Sequence, residues 1–454
     1  MSAGFNIRPI DRWLEPLLAL AVLVALVQAL IYTYQFGYLP QPFFYEPSDI
    51  WMDWFNTAHW AHEPGAYDAW LTIYPPLSFV FLKFLGIARC YSGAEGLPAR
   101  ECDWLGLVAL HSIYVMNIVL TARAFMKIDR RTALPRSFAL TAGLPMLYGL
   151  ERGNLILICF TCVLLAFGPL VRSARLRWIF LGLAINFKVY LIATVFAQLL
   201  RRRWLWFEGA LIATAGVYLL SFGLFGGGTP GEIYRNIANF SGGFEAVSVL
   251  DIWYAGTYLP LTSLLSGVAF PVSTLIGSEV AEWGSLLLPT ITRVVQGTIV
   301  IAAVATWLRP EVVPIHRLAL FGAAMALITA ESGGYTQILL ILFVFMERWR
   351  GVARPWAIFA CYLLCIPADI VIGSVPPFVR ESYLTGRQVV VTFGIGLGPF
   401  IRPALIMSLP FALSCATIWD VWADIRTQGW RTRRRFWRDA PLLPGVARPD
   451  PAGK

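Results

Sequence analysis

The feature that most constrains this chain is a series of long apolar segments that recur along its whole length. The first, residues 14–33, has roughly the twenty residues that an α-helix needs to span the hydrocarbon core of a bilayer. In lipid the backbone must satisfy its own polar groups, so such segments fold as helices. The longer apolar runs are 14–33, 105–125, 137–150, 154–171, 177–200, 205–226, 285–308, 317–346, 354–374 and 394–420, and two shorter ones are 77–88 and 258–278.

Composition excludes a water-soluble protein. Of the 454 residues, 57% are hydrophobic and 14% are charged, whereas soluble domains carry about 25% charged residues. The formal net charge of +9 does not indicate nucleic-acid binding, because eight of the 36 Lys and Arg residues follow Asp424. We interpret residues 426–454 as a basic cytoplasmic tail, since positive charge marks the cytoplasmic side of membrane proteins. The sequence therefore predicts an all-α polytopic membrane protein with a single transmembrane domain, residues 1–425.

The basic clusters between the apolar runs predict how the chain crosses the membrane. If they all lie in the cytoplasm, the run 77–88 enters the membrane without crossing it, and its length of about twelve residues indicates the same. The runs 177–200 and 317–346 have basic residues at both ends, so each is predicted to be a broken hairpin. This placement gives about twelve crossings of the inner (plasma) membrane, with both termini in the cytoplasm. On the other side it puts a first outer loop, 34–76, and a second outer region, 227–284.

The first outer loop contains the best candidates for acid–base chemistry. Asp49 and Asp53 are four residues apart, so on a helix both carboxylates would share one face. Trp51, Trp54 and Phe55 could rest in the membrane interface beside them, and a carboxylate next to such an apolar surface can act as a general base. The alternative is that Asp49 caps the helix and Asp53 is merely solvated.

Polar interruptions of three further apolar runs are candidates for substrate binding, because ionisable groups at membrane depth are costly. Arg152 lies in a turn next to Glu151, with which it could instead form an internal ion pair. Lys188 lies at the tip of the predicted hairpin 177–200, where its alternative is to snorkel to the outer interface. Glu331 interrupts the run 317–346, where the alternative is a tight polar turn. The candidates in these interruptions are Arg152, Asn154, Lys188, Glu331, Tyr335 and Gln337.

Together these residues predict an outward-facing site with one or two carboxylates and two cations beside an apolar surface. Arg152 and Lys188 could neutralise a lipid-linked phosphate as it leaves, while Asp53 deprotonates an acceptor hydroxyl. Outside the cytoplasm no nucleotide sugars are available. An enzyme facing that side would therefore take activated sugar from a polyprenyl phosphate carrier and pass it to a glycan or glycolipid acceptor.

Two of the seven cysteines, Cys90 and Cys102, fall in the outer segment between the runs 77–88 and 105–125. An oxidising compartment would permit a disulfide between them. The sequence leaves open whether that bridge forms.

At this point the motifs resemble a known family. Asp53-x-x-Asn56-x-Ala58, followed by Gly65-Ala66-Tyr67 and Tyr74-Pro75-Pro76-Leu77, looks like the first outer loop of the GT-C glycosyltransferases, most closely glycosyltransferase family 87. The stretch from Gly182 to Lys188 is similar to the family's Gly-x-Ala-x-x-x-Lys element. The likeness covers most of the chain and implies a GT-C-like fold with an outer-face catalytic loop.

The resemblance also implies roles for particular residues. Asp53 would be the catalytic base of an inverting sugar transfer, and Lys188 would bind the carrier phosphate. Tyr74 would belong to the substrate-binding Tyr-Pro-Pro-Leu element. Asp49 and Asp53 could share a divalent cation, which the sequence does not settle.

Two elements depart from the family pattern. The family usually has Gly-Gln-x-Asn where this chain has Glu151-Arg152-Gly153-Asn154, and an aromatic-x-His where it has Tyr335-Thr336-Gln337. The identities of the sugar and of the acceptor therefore stay open.

Two other functions suit the same residues. A polysaccharide polymerase or ligase that uses a lipid-pyrophosphate-linked oligosaccharide would need the same two cations. A transporter or flippase could use a basic cavity to move a lipid-linked sugar without chemistry, and broken hairpins are common in transporters. Against the transporter, no internal repeat is evident in the sequence.

Overall fold

The computed structural model describes residues 11–93, 96–242, 252–266, 273–331 and 333–430. The predicted tail, 426–454, lies outside the described residues from residue 431 onward, as do parts of the second outer region. In chain order the helices are α1 (Asp11–Phe36), α2 (Met52–His62), α3 (Pro76–Phe84), α4 (Gly96–Cys102), α5 (Trp104–Ile128), α6 (Ala133–Ala142), α7 (Leu144–Arg152), α8 (Ile156–Phe167), α9 (Ala174–Phe187), α10 (Phe196–Leu200), α11 (Trp204–Phe225), α12 (Pro230–Gly242), α13 (Leu259–Ser266), α14 (Ser273–Ile276), α15 (Ser278–Leu308), α16 (Ile315–Leu327), α17 (Gln337–Phe345), α18 (Ala353–Leu364) and α19 (Gly398–Gln428). The strands are β1 (Val371–Ser374), β2 (Phe378–Ser382), β3 (Arg387–Val391) and β4 (Gly394–Gly396).

Five of these helices, α1, α5, α11, α15 and α19, are long and apolar enough to cross a membrane. Many of their large apolar side chains point outward; Leu219 and Leu220 of α11, for example, are 65% and 67% exposed. Water would penalise such a surface and lipid would not. The fold is therefore that of a mostly helical, membrane-embedded protein.

The chain breaks at both positions that the charge pattern predicts. Helix α9 ends at Phe187, Lys188 has an extended backbone, and a 3-10 segment follows over Val189–Val195. Helix α16 ends at Leu327, and a second 3-10 segment, Gly334–Thr336, leads into α17. Helix α3 has nine residues, which is far below the length of a spanning helix.

The apolar run 137–150 is not one helix, because it divides at Gly143 between α6 and α7. A Cβ at Gly143 would lie 2.7 Å from the Cβ of Cys365 and would also clash with the carbonyl of Ala139. The next residue, Leu144, donates its N–H to the Cys365 carbonyl at 2.9 Å. Close approach of two backbones therefore requires glycine and ends the helix.

The expectation of an all-α fold is wrong for residues 371–396. Strand β1, which belongs to the apolar run 354–374, pairs with β4, and β2 pairs with β3; both pairs are antiparallel. The hairpin turn contains Gly386 at φ +63°, and three consecutive valines end at Val391 in β3. β-Branched side chains favour strands, and hydropathy alone does not distinguish a short apolar strand from a helix end.

Two arginines of the basic clusters between the apolar runs, Arg317 and Arg354, are buried and paired. Arg317 of α16 donates to Glu347 at 2.6 Å and to Asp420 of α19 at 3.1 Å, and Arg354 of α18 also pairs with Asp420. His316 adds a contact to Glu347 at 3.2 Å. We call Arg317, Glu347, Arg354 and Asp420 the buried network.

A second buried pair joins α1 to α6. Arg136 binds both carboxylate oxygens of Glu15, with distances of 2.8 and 2.7 Å, and also donates to the carbonyls of Phe345 and Glu347. Tyr362 donates to the same carboxylate at 2.8 Å. These contacts tie the ends of α1, α6 and α18 together.

Candidate active site

The sequence suggested that the two aspartates of the first outer loop share one face of a helix. In the structure they do not. Helix α2 begins at Met52, so Asp53 is in its first turn, whereas Asp49 lies in the preceding turn. Trp51 separates them with φ +64°, in the left-handed region. For a bulky side chain this conformation costs about 1–3 kcal/mol and persists only where the surroundings enforce it. The strained residue thus lies directly between the two carboxylates.

Arg152 brings the two aspartates together. One guanidinium nitrogen, Nη1, lies 2.7 Å from Asp49 Oδ2, and the other, Nη2, donates to Asp53 Oδ1 at 2.9 Å. The guanidinium also lies over the ring of Phe44, 4.2 Å from its centroid. The ion pairs of Arg152 are therefore with the first outer loop, and each of its two terminal nitrogens contacts one of the aspartates.

Asn154 holds the second oxygen of Asp53. Its Nδ2 donates to Asp53 Oδ2 at 2.7 Å, while its Oδ1 accepts the N–H of Ile156 at 2.9 Å at the start of α8. The Asp53 carboxylate is therefore oriented through both oxygens. Since a carboxylate offers about four acceptor sites, two remain for a substrate, and the side chain is 23% exposed. We call Asp49, Asp53, Arg152 and Asn154 the aspartate–arginine cluster.

A glycine allows the turn between α7 and α8 to approach the first outer loop. Gly153 has φ +66°, and a Cβ there would lie 2.8 Å from the carbonyl oxygen of Trp51. Next to it, Trp51 donates its N–H to the Glu151 carbonyl at 2.7 Å. Backbone contact between the two loops therefore sets the positions of Arg152 and Asn154.

Lys188 lies among aromatic rings. Its Nζ is 4.6 Å from the ring centroid of Tyr74 and 5.9 Å from that of Tyr335. It makes no hydrogen bond or ion pair with the described part of the chain. Tyr74 is itself held, because its carbonyl accepts from the Tyr67 hydroxyl at 2.8 Å. A half-buried cation on two π faces is poised to meet an anion.

Tyr335 links the two groups. Its ring lies 5.5 Å from that of Tyr148 on α7, and it is close enough to Asp53, Arg152 and Tyr74 to interact with them electrostatically. The carboxylate that could accept a proton and the cation that could meet an anion are therefore both near the same tyrosine.

Glu331 and Gln337 lie next to the loop at Gly256. Glu331 accepts from the N–H of Gly256 at 3.2 Å and from both the N–H and the hydroxyl of Thr257, at 3.1 and 2.8 Å. The carboxylate thereby fixes the loop that carries Trp253 and Tyr254. Gln337 is buried near Gly256, and neither its Oε1 nor its Nε2 has a hydrogen-bond partner among the residues that the structure describes.

Burial and the neighbouring arginine have opposite effects on the Asp49 carboxylate. Burial raises the pKa of Asp49 above its ordinary value, while the neighbouring Arg152 guanidinium lowers it and offsets part of the effect. The same guanidinium lies between the carboxylates, so a divalent cation shared by Asp49 and Asp53 would have to displace it. In the described residues no cluster of three or more His, Cys, Asp or Glu side chains forms a candidate metal site.

Two residues of the site were missed by the sequence reasoning. Phe44 covers the Arg152 guanidinium, and Arg100 on α4 binds the carbonyls of Ser48 and Ile50 on either side of Asp49. Aromatic residues are common in this loop, and Arg100 lies about fifty positions away in the chain. No local spacing could have indicated either contact.

Cys90 and Cys102 form a disulfide, with their Cα atoms 5.6 Å apart. It joins the end of α4 to the 3-10 segment Ala88–Tyr91. Comparison of the chain with protein-family models, with curated proteins and with solved structures finds no match.

Proposed function

We propose that this chain is a membrane glycosyltransferase. It moves a sugar from a polyprenyl-phosphate donor to a lipid-linked or polysaccharide acceptor at the outer, periplasmic face, with inversion. The observation that carries the proposal is one arrangement. A partly open Asp53 carboxylate is oriented by Arg152 and Asn154, and Lys188, which has no ion pair within the described residues, lies near the same Tyr335 ring. The GT-C-like fold and about twelve crossings are part of the same proposal.

Asp53 is the general base of the reaction. Its free acceptor sites take the proton of the acceptor hydroxyl as that oxygen attacks the anomeric carbon of the sugar. The bond from the anomeric carbon to the phosphate oxygen breaks, and polyprenyl phosphate leaves with the bonding electrons. Lys188 stabilises the charge that develops on this phosphate. Arg152 acts by holding Asp53 rather than by binding substrate.

The pairing of Arg152 favours a monophosphate donor over a pyrophosphate donor. Both of its terminal nitrogens are engaged by Asp49 and Asp53. Lys188 is then the one cation of the site, within the described residues, that is available for a substrate phosphate. A single cation suits the smaller charge of a phosphate monoester-type leaving group.

The test is transfer of radiolabelled sugar from polyprenyl-phosphate donors by purified protein in detergent. We expect Asp53→Asn to lower kcat by roughly two orders of magnitude or more, as for loss of a general base. Lys188→Ala should lower kcat as well, because the leaving group loses its cation. Matched controls are Asp129→Asn and Lys127→Ala, which change the same residue types away from the site.

Three results would contradict the proposal. In the first, wild type consumes no monophosphate donor but polymerises pyrophosphate-linked oligosaccharides. In the second, reconstituted protein moves the lipid-linked sugar across vesicles without transferring it. In the third, folded Asp53→Asn transfers sugar as fast as its Asp129→Asn control.

A further inference from the structure

The loop that presents Asp49 is held by an arginine from a distant helix. Arg100, on the seven-residue α4, is 4% exposed, and its Nη1 donates to the carbonyls of Ser48 and Ile50, both at 2.7 Å. Its guanidinium lies over the ring of Tyr383, 3.7 Å from the centroid. Arg100 forms no ion pair in the part of the chain that the structure describes. A buried cation whose hydrogen bonds go to two backbone carbonyls of one loop indicates that the conformation of this loop matters.

Arg100 acts next to the strained residue. The carbonyl of Ile50 that it binds belongs to the peptide unit just before Trp51, the residue at φ +64°. The N–H of the same peptide unit donates to Glu151. Both ends of this peptide group are therefore tied, and the left-handed turn places Asp49 before it and Asp53 after it. Such strain persists only where contacts of this kind enforce it.

We propose that Arg100 is a positioning residue: it holds the turn 48–51 in the conformation that presents Asp49 and Asp53 to Arg152. The inference rests on the proposed function insofar as it concerns catalysis, because Asp53 is the base in that reaction. Without Arg100 the carbonyls of Ser48 and Ile50 lose their partner, and the turn relaxes toward ordinary backbone angles. Asp53 then moves away from the orientation that Arg152 and Asn154 impose.

Helix α4, which carries Arg100, is held in place by a disulfide and by its packing against α2. The disulfide at Cys102 ties its end to Cys90. At its start a Cβ on Gly96 would lie 2.5 Å from Asn56 Oδ1, so α4 packs directly against α2. The next residue, Asp103, accepts from the Tyr91 hydroxyl at 2.5 Å and caps α5. Arg100 is therefore fixed relative to the helix that carries Asp53.

The kinetic test compares Arg100→Met and Arg100→Lys with the control Arg380→Met. Arg380 belongs to β2, is largely exposed and pairs with Glu46 without contacting the carbonyls of Ser48 and Ile50. We expect Arg100→Met to lower kcat roughly 10- to 100-fold, since small misplacements of a catalytic group have effects of this size. The donor KM should change less than about threefold, because Lys188 is untouched. Lysine should recover part of kcat by donating to one carbonyl, although it cannot stack as arginine does.

Rescue by lysine and normalisation to the folded fraction distinguish positioning from a general loss of stability. A variant that is merely less folded regains the wild-type kcat when the rate is divided by the folded fraction. A loss of kcat that disappears on this normalisation, or that lysine does not partly rescue, would overturn the inference.

Hydrogen–deuterium exchange tests the inference without sugar transfer. Arg100→Met should raise amide exchange in residues 48–56, including the Trp51 amide, relative to wild type and to Arg380→Met. If wild type transfers no sugar but exchange rises, the proposed function fails and the positioning role stands. If exchange in this segment is unchanged, the positioning role fails whatever the activity.

Discussion

The buried network and the aspartate–arginine cluster both combine arginines with carboxylates, and they do so differently. In the buried network Arg317 is 1% and Glu347 is 4% exposed, and the carboxylate of Glu347 meets His316, Arg317 and Arg354. In the aspartate–arginine cluster Asp49 and Asp53 are 33% and 23% exposed, and one arginine serves both. In the network the arginines and carboxylates are paired with one another in a mostly buried site, whereas the cluster keeps acceptor sites open.

The difference teaches how to recognise a site among buried charges. Charged groups that are paired with one another in a buried network are not available to bind a substrate. Their contacts instead stabilise the packing of helices α16, α18 and α19. In the aspartate–arginine cluster the carboxylates are partly exposed and lie beside a strained backbone, so they can still accept a proton or bind a substrate. Mutations in the first region should therefore act on stability, and mutations in the second on activity.

The largest effect is expected at the centre of the network. Glu347→Gln leaves Arg317 and Arg354 short of a negative charge, and breaking a buried pair on one side costs about 3–5 kcal/mol. The measurement is thermal unfolding of purified protein in detergent, together with the yield of monodisperse protein. The matched control is Glu282→Gln on α15, where the side chain is exposed. An unfolding temperature equal to that of the control would break the distinction between the two regions.

A paired substitution sharpens the comparison. Lysine keeps the charge of arginine but cannot bridge two carboxylates with two rigid arms. Arg152→Lys should lower kcat roughly 10- to 100-fold through misplaced Asp53, with a small change in unfolding temperature. Arg317→Lys should lower the unfolding temperature markedly and leave kcat of the folded fraction near wild type.

Both quantities are measured on both variants, so each serves as the control for the other. If the two variants lose stability alike and activity alike, the regions do not differ in kind.

The smallest effect concerns Asp49. Because burial raises its pKa, the folded protein binds this proton more tightly than the unfolded chain does. Its contribution to stability is thus present at low pH and is lost as pH rises from about 3.9 through the raised pKa. The unfolding temperature of Asp49→Asn minus that of wild type should therefore increase as pH rises from near 4 to near 7, by a few degrees at most.

The same variant should keep kcat within about tenfold of wild type, since Asp53 is the proposed base. The measurement is a thermal-unfolding series for both proteins across that pH range, with kcat at its upper end. A variant that loses stability relative to wild type as pH rises would show that the ion pair with Arg152 outweighs burial.

The structure brings together most of the residues that the sequence predicted for the site. Arg152 and Lys188 were conspicuous because ionisable groups are costly in apolar runs, and Asp53 and Tyr74 because of the motifs of the first outer loop. Asp53, Arg152, Asn154, Lys188, Tyr74 and Tyr335 all belong to the connected arrangement. Sequence reasoning failed where the outcome depended on contacts across the chain. Asp49 was expected on a helix, but the positive φ of Trp51 puts it in a turn. The contacts of Glu331 with Gly256 and Thr257 were not foreseen either, and its role in substrate binding stays a prediction.

What the sequence by itself determined is the solvent and the secondary structure that follows from it. Apolar runs of bilayer length must be helices, because lipid offers no partners for exposed backbone groups. Only the tertiary structure decided which charged side chains are buried in ion pairs and which stay partly exposed. Arg317 and Arg152 look alike in the sequence, but the first is enclosed by Glu347 and Asp420 while the second holds two partly exposed aspartates. Pairing depends on distances of a few ångströms between residues far apart in the chain, and no local pattern encodes those distances.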